Sequence, residues 1–183
     1  MLAIAARDEL ALDRVQLVPA GEPPHKGRPD SAGREERLEM CRLLAAESGE
    51  VEVNPIEVLR PGPSFTVDTL AELQIRDPED ELTFILGADT ARTLAGWRAP
   101  QEVLRSCTLA VAVREGTDLG AARSAVEQID AEAAARMRVL SMDPVDISSS
   151  QVRRLIAAGG EVEALTGPAV ARYIADRHLY REA

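Results

Sequence analysis

LTFILGADTARTLAGW, residues 82–97, is the stretch on which the fold turns. It opens as a short apolar strand, stops at Gly87 and passes at once into residues that read as short helices. A strand that feeds a helix directly is half of a βα unit. Glycine at the strand end lets a backbone approach a ligand closely. Asp89, just beyond, is placed to accept hydrogen bonds from sugar hydroxyls or an amine. Trp97 is the only tryptophan of the chain. It is a core filler or a stacking plate for a flat ring, and the residues alone leave both open.

Outward from this stretch the alternation recurs. Residues 2–12 read as an amphipathic helix with Leu2, Ala5, Ala6 and Leu10 on one face. Residues 14–18 read as a strand, and Arg34–Ser48 as a helix with Leu38, Cys41 and Ala45 on one stripe. Residues 51–58 look extended, with Pro55 marking a sheet edge or an irregularity. Thr66–Arg76 is helical, residues 99–106 form a short helix, and residues 107–113 are the most buried-looking strand. A helix over residues 119–135 and a strand over 137–142 follow. Residues 148–160 open on cap residues and close on glycines, and residues 167–179 form a last helix with proline near its first turn. Strands alternating with helices predict an α/β fold with a mainly parallel sheet, as one domain over residues 1–183. In such sheets ligands sit at the carboxyl ends of strands.

The bulk numbers narrow the function. With 45% hydrophobic residues the 183-residue chain folds. Its 21 Lys+Arg against 31 Asp+Glu leave a net charge of -10, which repels polyanions and argues against a nucleic-acid partner. A small phosphorylated ligand in a locally basic pocket stays compatible with it. Cys41 and Cys107, the only cysteines, read as reduced core thiols, and no CxxC or His-rich cluster suggests zinc. The first ten residues lack the basic region of a signal peptide, and no apolar run spans a bilayer. A cytoplasmic protein with no membrane partner is expected.

Three further clusters carry chemistry. In GEPPHK, residues 21–26, Pro23 and Pro24 stiffen the backbone that presents His25 and Lys26. Two cations with little entropy to lose suit a phosphate. In GPSFTVDT, residues 62–69, Ser64, Thr66 and Asp68 precede or open a helix. Its free N–H groups favour an anion, although Ser64 or Thr66 as an ordinary helix cap is the commoner arrangement. In DISSSQVRR, residues 146–154, Ser148, Ser149 and Ser150 start a helix with Arg153 and Arg154 in its first turns. A cation there opposes the helix dipole, and a bound triphosphate would remove that conflict.

Taken in order, VPAGEPPHK, GPSFTVDTL, FILGAD with a later Trp, ISSSQVR and YIADRHLY resemble bacterial nicotinate mononucleotide adenylyltransferase over residues 2–180. The resemblance implies a Rossmann-like nucleotidyltransferase fold. It also implies transfer of the AMP part of ATP to nicotinate mononucleotide, giving deamido-NAD and pyrophosphate, with Mg²⁺ assisting. Catalysis would be in-line attack on the α-phosphorus, driven by positioning and charge neutralisation. By position, Lys26 and Arg153 would be the catalytic cations, with His25 at the phosphate end. Thr66 would meet the nicotinate side and Trp97 would stack on the pyridine ring. Gly87, Ala88 and Asp89 would contact nucleotide sugar or backbone. Ser148, Ser149, Ser150 and Arg153 would hold the ATP phosphates, and Arg114 matches a position the family fills with arginine. Phe65 stands where tyrosine is more common. Partners would be ATP and nicotinate mononucleotide, with a homo-oligomer left open. The alternatives are a related adenylyltransferase acting on nicotinamide mononucleotide or phosphopantetheine, and a degenerate relative that binds a mononucleotide without catalysis.

One departure stands out. The family opens with a strand and a Gly-Gly-Thr-Phe-Asp-Pro-x-His-x-Gly-His signature, and Met1 falls where its last histidine would be. Neither His25 nor His178 can substitute by position. The expectation is a first strand missing from the sheet, with backbone groups left unpaired beside the gap. The chain as written is then poorly stable and nearly inactive, and the natural product starts upstream.

Overall fold

The structure is a computed structural model that describes residues 2–23, 32–113, 117–141 and 148–181. In chain order the elements are α1 (Leu2–Leu10), β1 (Gln16–Leu17), α2 (Arg34–Ser48), β2 (Glu52–Val53), α3 (Ile56–Leu59), α4 (Thr66–Arg76), β3 (Thr83–Gly87) and α5 (Ala88–Ala91). A 3-10 turn (Leu94–Gly96), α6 (Pro100–Ser106), β4 (Thr108–Ala112), α7 (Leu119–Glu127), α8 (Ala131–Arg136), β5 (Arg138–Leu140), α9 (Ser149–Ala157), α10 (Glu163–Thr166) and α11 (Pro168–Asp176) complete it. These fall into two compact units. One comprises Met1–Asp13 and Phe65–Asp146, the other Arg14–Ser64 and Ile147–Ala183.

In the first unit β3, β4 and β5 form a parallel sheet in that order. Phe84 pairs with Leu109 and Gly87 with Ala112, so the strands end level at their carboxyl ends. β4 is buried from Leu109 to Ala112, as its apolar run predicts. Leu94, Val103, Leu104, Leu109, Val111 and Val126 form the centre of the core. α1 closes a smaller cluster through Ala6, which packs with Ala110, Ala112 and Leu140. Its Glu9 carboxylate accepts the backbone N–H of Ser141 at 2.8 and 3.0 Å.

The second unit pairs β1 with β2 in parallel, Gln16 against Glu52 and Leu17 against Val53. Its apolar centre is Ile156, Val162, Val170 and Ile174, with Met40 and Leu43 packed against them. The parallel strands flanked by helices are those of the predicted α/β class, divided between two sheets.

Three local readings need correction. The extended stretch over 51–58 shrinks to Glu52–Val53. The Asn54 side-chain oxygen accepts the N–H of Ile56 at 3.1 Å and turns the chain into α3. The single helix over 119–135 is two, because the Asp130 carboxylate caps Ala133 N–H at 2.9 Å and starts α8. Of the two thiols expected in the core only Cys107 is buried there, and Cys41 is half exposed; both are free. Among the described residues no helix is long and apolar enough to cross a membrane.

Candidate active site

The sequence-derived site residues are distributed over both units. In the first, β3 delivers the chain to Gly87, which adopts φ −75° and ψ 151° as the cap of α5. A Cβ built on Gly87 would meet nothing within 4 Å. Neither conformation nor packing requires glycine there, and bare backbone faces open space. Ala88 is buried and Asp89 is exposed beside it. Trp97 packs against the core, as its core-filler reading has it. Its ring meets Phe84 edge to face at 6.1 Å, packed against the core, and its Nε1 donates to Thr93 Oγ1 at 3.3 Å. The residue is only half buried, which leaves part of the indole to solvent.

Thr66 is the first residue of α4, whose cap position is Phe65 with no side-chain cap bond. The Arg98 guanidinium lies 4.6 Å above the Phe65 ring and 3.5 Å from the Asp68 carboxylate. Ser64, read as a helix cap, has another job. Within the second unit its Oγ accepts the N–H groups of Gly21 at 3.1 Å and Glu22 at 3.2 Å. Its own N–H donates to Glu22 O at 2.7 Å, beside a bridge between Glu22 and Pro63.

At α9 the cap reading does hold for Ser148. Its Oγ accepts Gln151 N–H at 3.2 Å while Gln151 Oε1 accepts Ser148 N–H at 2.6 Å, a reciprocal capping box. Ser149 is exposed. Arg153 Nη2 donates to Ser150 Oγ at 3.3 Å, which brings hydroxyl and guanidinium together at the start of the helix. His25, Lys26 and Arg114 lie outside the described residues. Arg37 carries no signal in the sequence that sets it apart from Arg34 and Arg42, the two other arginines of α2. Its guanidinium is bound to three backbone carbonyls.

Burial pushes the Cys107 thiol up to about 11 and that of Cys41 up as well, against the pull of Arg136 and Arg37 respectively. Neither is an activated nucleophile. Among the described residues no group of three or more His, Cys, Asp or Glu could hold a metal ion.

Residues 1–155 match the cytidylyltransferase-like family. The chain is 36% identical to a probable nicotinate-nucleotide adenylyltransferase of Chromobacterium violaceum, over 98% of this chain and 90% of that protein. Against one of Albidiferax ferrireducens the identity is 39%, over 100% of this chain and 90% of the relative. In fold, the chain is similar to the Plasmodium falciparum nicotinic acid mononucleotide adenylyltransferase complexed with NaAD. The TM-score is 0.66 at 15% identity, over 94% of this chain and 89% of that one. The same enzyme complexed with APC gives 0.63 at 14% identity, over 96% and 88%.

Proposed function

The chain belongs to the nicotinate-nucleotide adenylyltransferase family, within the cytidylyltransferase-like group, and from that premise we propose that it makes deamido-NAD. ATP would give its adenylyl group to nicotinate mononucleotide, with pyrophosphate released, as a step of NAD synthesis. The observation that carries this reading is similarity along nearly the whole chain to relatives bearing that name.

The geometry supports roles for particular residues. A phosphate oxygen of the mononucleotide attacks the α-phosphorus of ATP in line, and the bond to pyrophosphate breaks. No covalent enzyme intermediate is needed, so positioning and charge neutralisation supply the rate. Arg153, held beside Ser150, is the described cation suited to the triphosphate. Lys26 and His25 are proposed for the phosphate end and Arg114 for substrate binding, on their positions in the sequence. Ser148 contributes by keeping α9 in place through its capping box, with Ser149 and Ser150 following it. The open backbone at Gly87 and Ala88 and the exposed Asp89 suit a ribose. The uncapped start of α4 at Thr66 and the half-exposed ring of Trp97 suit a flat anionic ring. Mg²⁺ is proposed as a companion of the ATP phosphates, where it would spread their negative charge. An ion carried this way keeps its waters and asks for one or two carboxylates at most. We place the reaction in the cytoplasm.

The test is pyrophosphate release with ATP and each of nicotinate mononucleotide, nicotinamide mononucleotide and phosphopantetheine. Preference for the first is expected. Preference for another moves the chain to a different member of the group, and binding without release makes it a non-catalytic relative. Trp97→Ala should weaken the acceptor about tenfold or more, at about 1–3 kcal/mol for a lost ring stack, and leave ATP binding nearly unchanged. Equal affinities in variant and parent would remove the stacking role.

A further inference from the structure

Within the first unit, one cation ties together the two elements proposed for the acceptor's ring. Arg98 directly follows Trp97 in the chain. Its guanidinium lies 4.6 Å above the ring of Phe65, the residue that leads into Thr66 and α4. The Asp68 carboxylate, in the first turn of α4, is 3.5 Å from Arg98 Nη1. The backbone on the far side of Arg98 is constrained as well. Ala99 adopts φ 48° and ψ 57°, the left-handed region, immediately before Pro100. That conformation is unfavourable for alanine, and such strain collects where a structure must hold a side chain in a set place.

The ring contact and the single long ion pair hold the guanidinium without using its hydrogen bonds. Among the described residues none of its N–H donors is hydrogen-bonded. An arginine that serves the fold turns its fork on backbone carbonyls, as Arg37 does with Ala20 and Gly21. The fork of Arg98 is held in place and left open. We propose that Arg98 is a specificity-determining residue of the acceptor site. Its guanidinium takes the ring carboxylate of nicotinate mononucleotide and so selects the acid over the amide. A carboxylate accepts two parallel N–H bonds from a guanidinium and carries the opposite charge. A carboxamide offers one oxygen and no charge, and its NH₂ group meets donors with donors. The inference rests on the adenylyl-transfer reading and deepens it, giving to one side chain the choice between two acceptors that differ in one group.

The test follows the charge at position 98. Nicotinate mononucleotide, nicotinamide mononucleotide and ATP are titrated separately by calorimetry into the parent, Arg98→Gln and Arg98→Glu. The Arg98 side chain is 57% exposed, so both variants should fold. The preference for the acid, as the ratio of the two mononucleotide Kd values, should fall about tenfold in Arg98→Gln. It should fall further in Arg98→Glu, where the charge is reversed. The whole change should lie in the nicotinate Kd, with those of nicotinamide mononucleotide and ATP within about twofold of the parent. An unchanged ratio overturns the proposal. Equal weakening of both mononucleotides also overturns it, because Arg98 would then support the ring's surroundings without reading the acid. So does failure of both variants to fold by circular dichroism, since the contacts with Phe65 and Asp68 would then serve the fold alone. A parent that binds the acid no better than the amide sinks the underlying reading instead.

Discussion

The turn after β1 and the turn that ends β3 each carry a glycine, Gly21 and Gly87. At Gly21 a methyl group would collide with Glu57 O at 2.0 Å, and Ser64 Oγ lies 3.1 Å away. At Gly87 the same methyl would meet nothing within 4 Å, and the backbone sits at φ −75°, open to any residue. The fold therefore explains the first glycine completely and the second not at all. The ribose contact proposed at Gly87 would account for the missing side-chain bulk there. The two turns also differ in what holds them. β3 leans on an apolar core beneath it, whereas the stem after β1 is held by polar bonds to its own backbone.

The contrast can be broken most forcefully in the core. Leu104 is fully buried in the cluster that supports β3 and β4. Leu104→Ala should cost about 3–4 kcal/mol in urea unfolding, from lost transfer energy and the cavity left behind. A loss below about 1 kcal/mol would show that apolar packing is not what supports this sheet. Gly21→Ala should cost about 2–3 kcal/mol by overpacking, because the nearest atom is backbone and cannot swing aside. If Gly21→Ala were neutral, the stem would be softer than its contacts indicate.

Next comes the thiol of Cys107, at the entry to β4. Burial raises it to about 11 from an ordinary 9.0, so the folded chain keeps the neutral form longer than the unfolded chain does. That stabilisation is whole below about pH 9 and is lost as pH climbs towards about 11, for a total on the order of 2 kcal/mol. Stability measured across this window should fall more steeply in the parent than in Cys107→Ala. Identical slopes would mean that water reaches the start of β4 and that the core is wetter there than its burial implies.

How much of this was readable beforehand follows the same division. α2 and α4 fall at the boundaries read from the sequence, because apolar spacing and the following turn residues fix a helix locally. β3 and β4 were legible as apolar runs. The error over 51–58 came from one side chain, Asn54, whose bond to Ile56 N–H overrides an extended pattern. Ser64 was visible as a polar residue before a helix, which made a cap the natural reading. Its true partners are 42 and 43 residues away, and no local pattern reports them. Arg37 was invisible for the same reason: a guanidinium among the charges of α2 gives no sign of which carbonyls it will find. Apolar order is written along the chain. Polar order is written between distant parts of it.

Gly87→Ala is the smallest and sharpest of these changes. The alanine adopts the native backbone angles without strain and touches nothing. It also restricts the unfolded chain, so stability should rise by about 0.4–1 kcal/mol. If the space before Gly87 is where a nucleotide backbone or sugar comes close, the added methyl lies in its way. ATP and nicotinate mononucleotide are titrated separately, and at least one Kd should rise about tenfold. A more stable protein that binds less well is the signature of a position shaped by ligand against the interest of the fold. A variant that gains stability and binds both nucleotides as the parent does would mean that the open turn is merely open, and the difference between the two glycines would then carry no functional meaning.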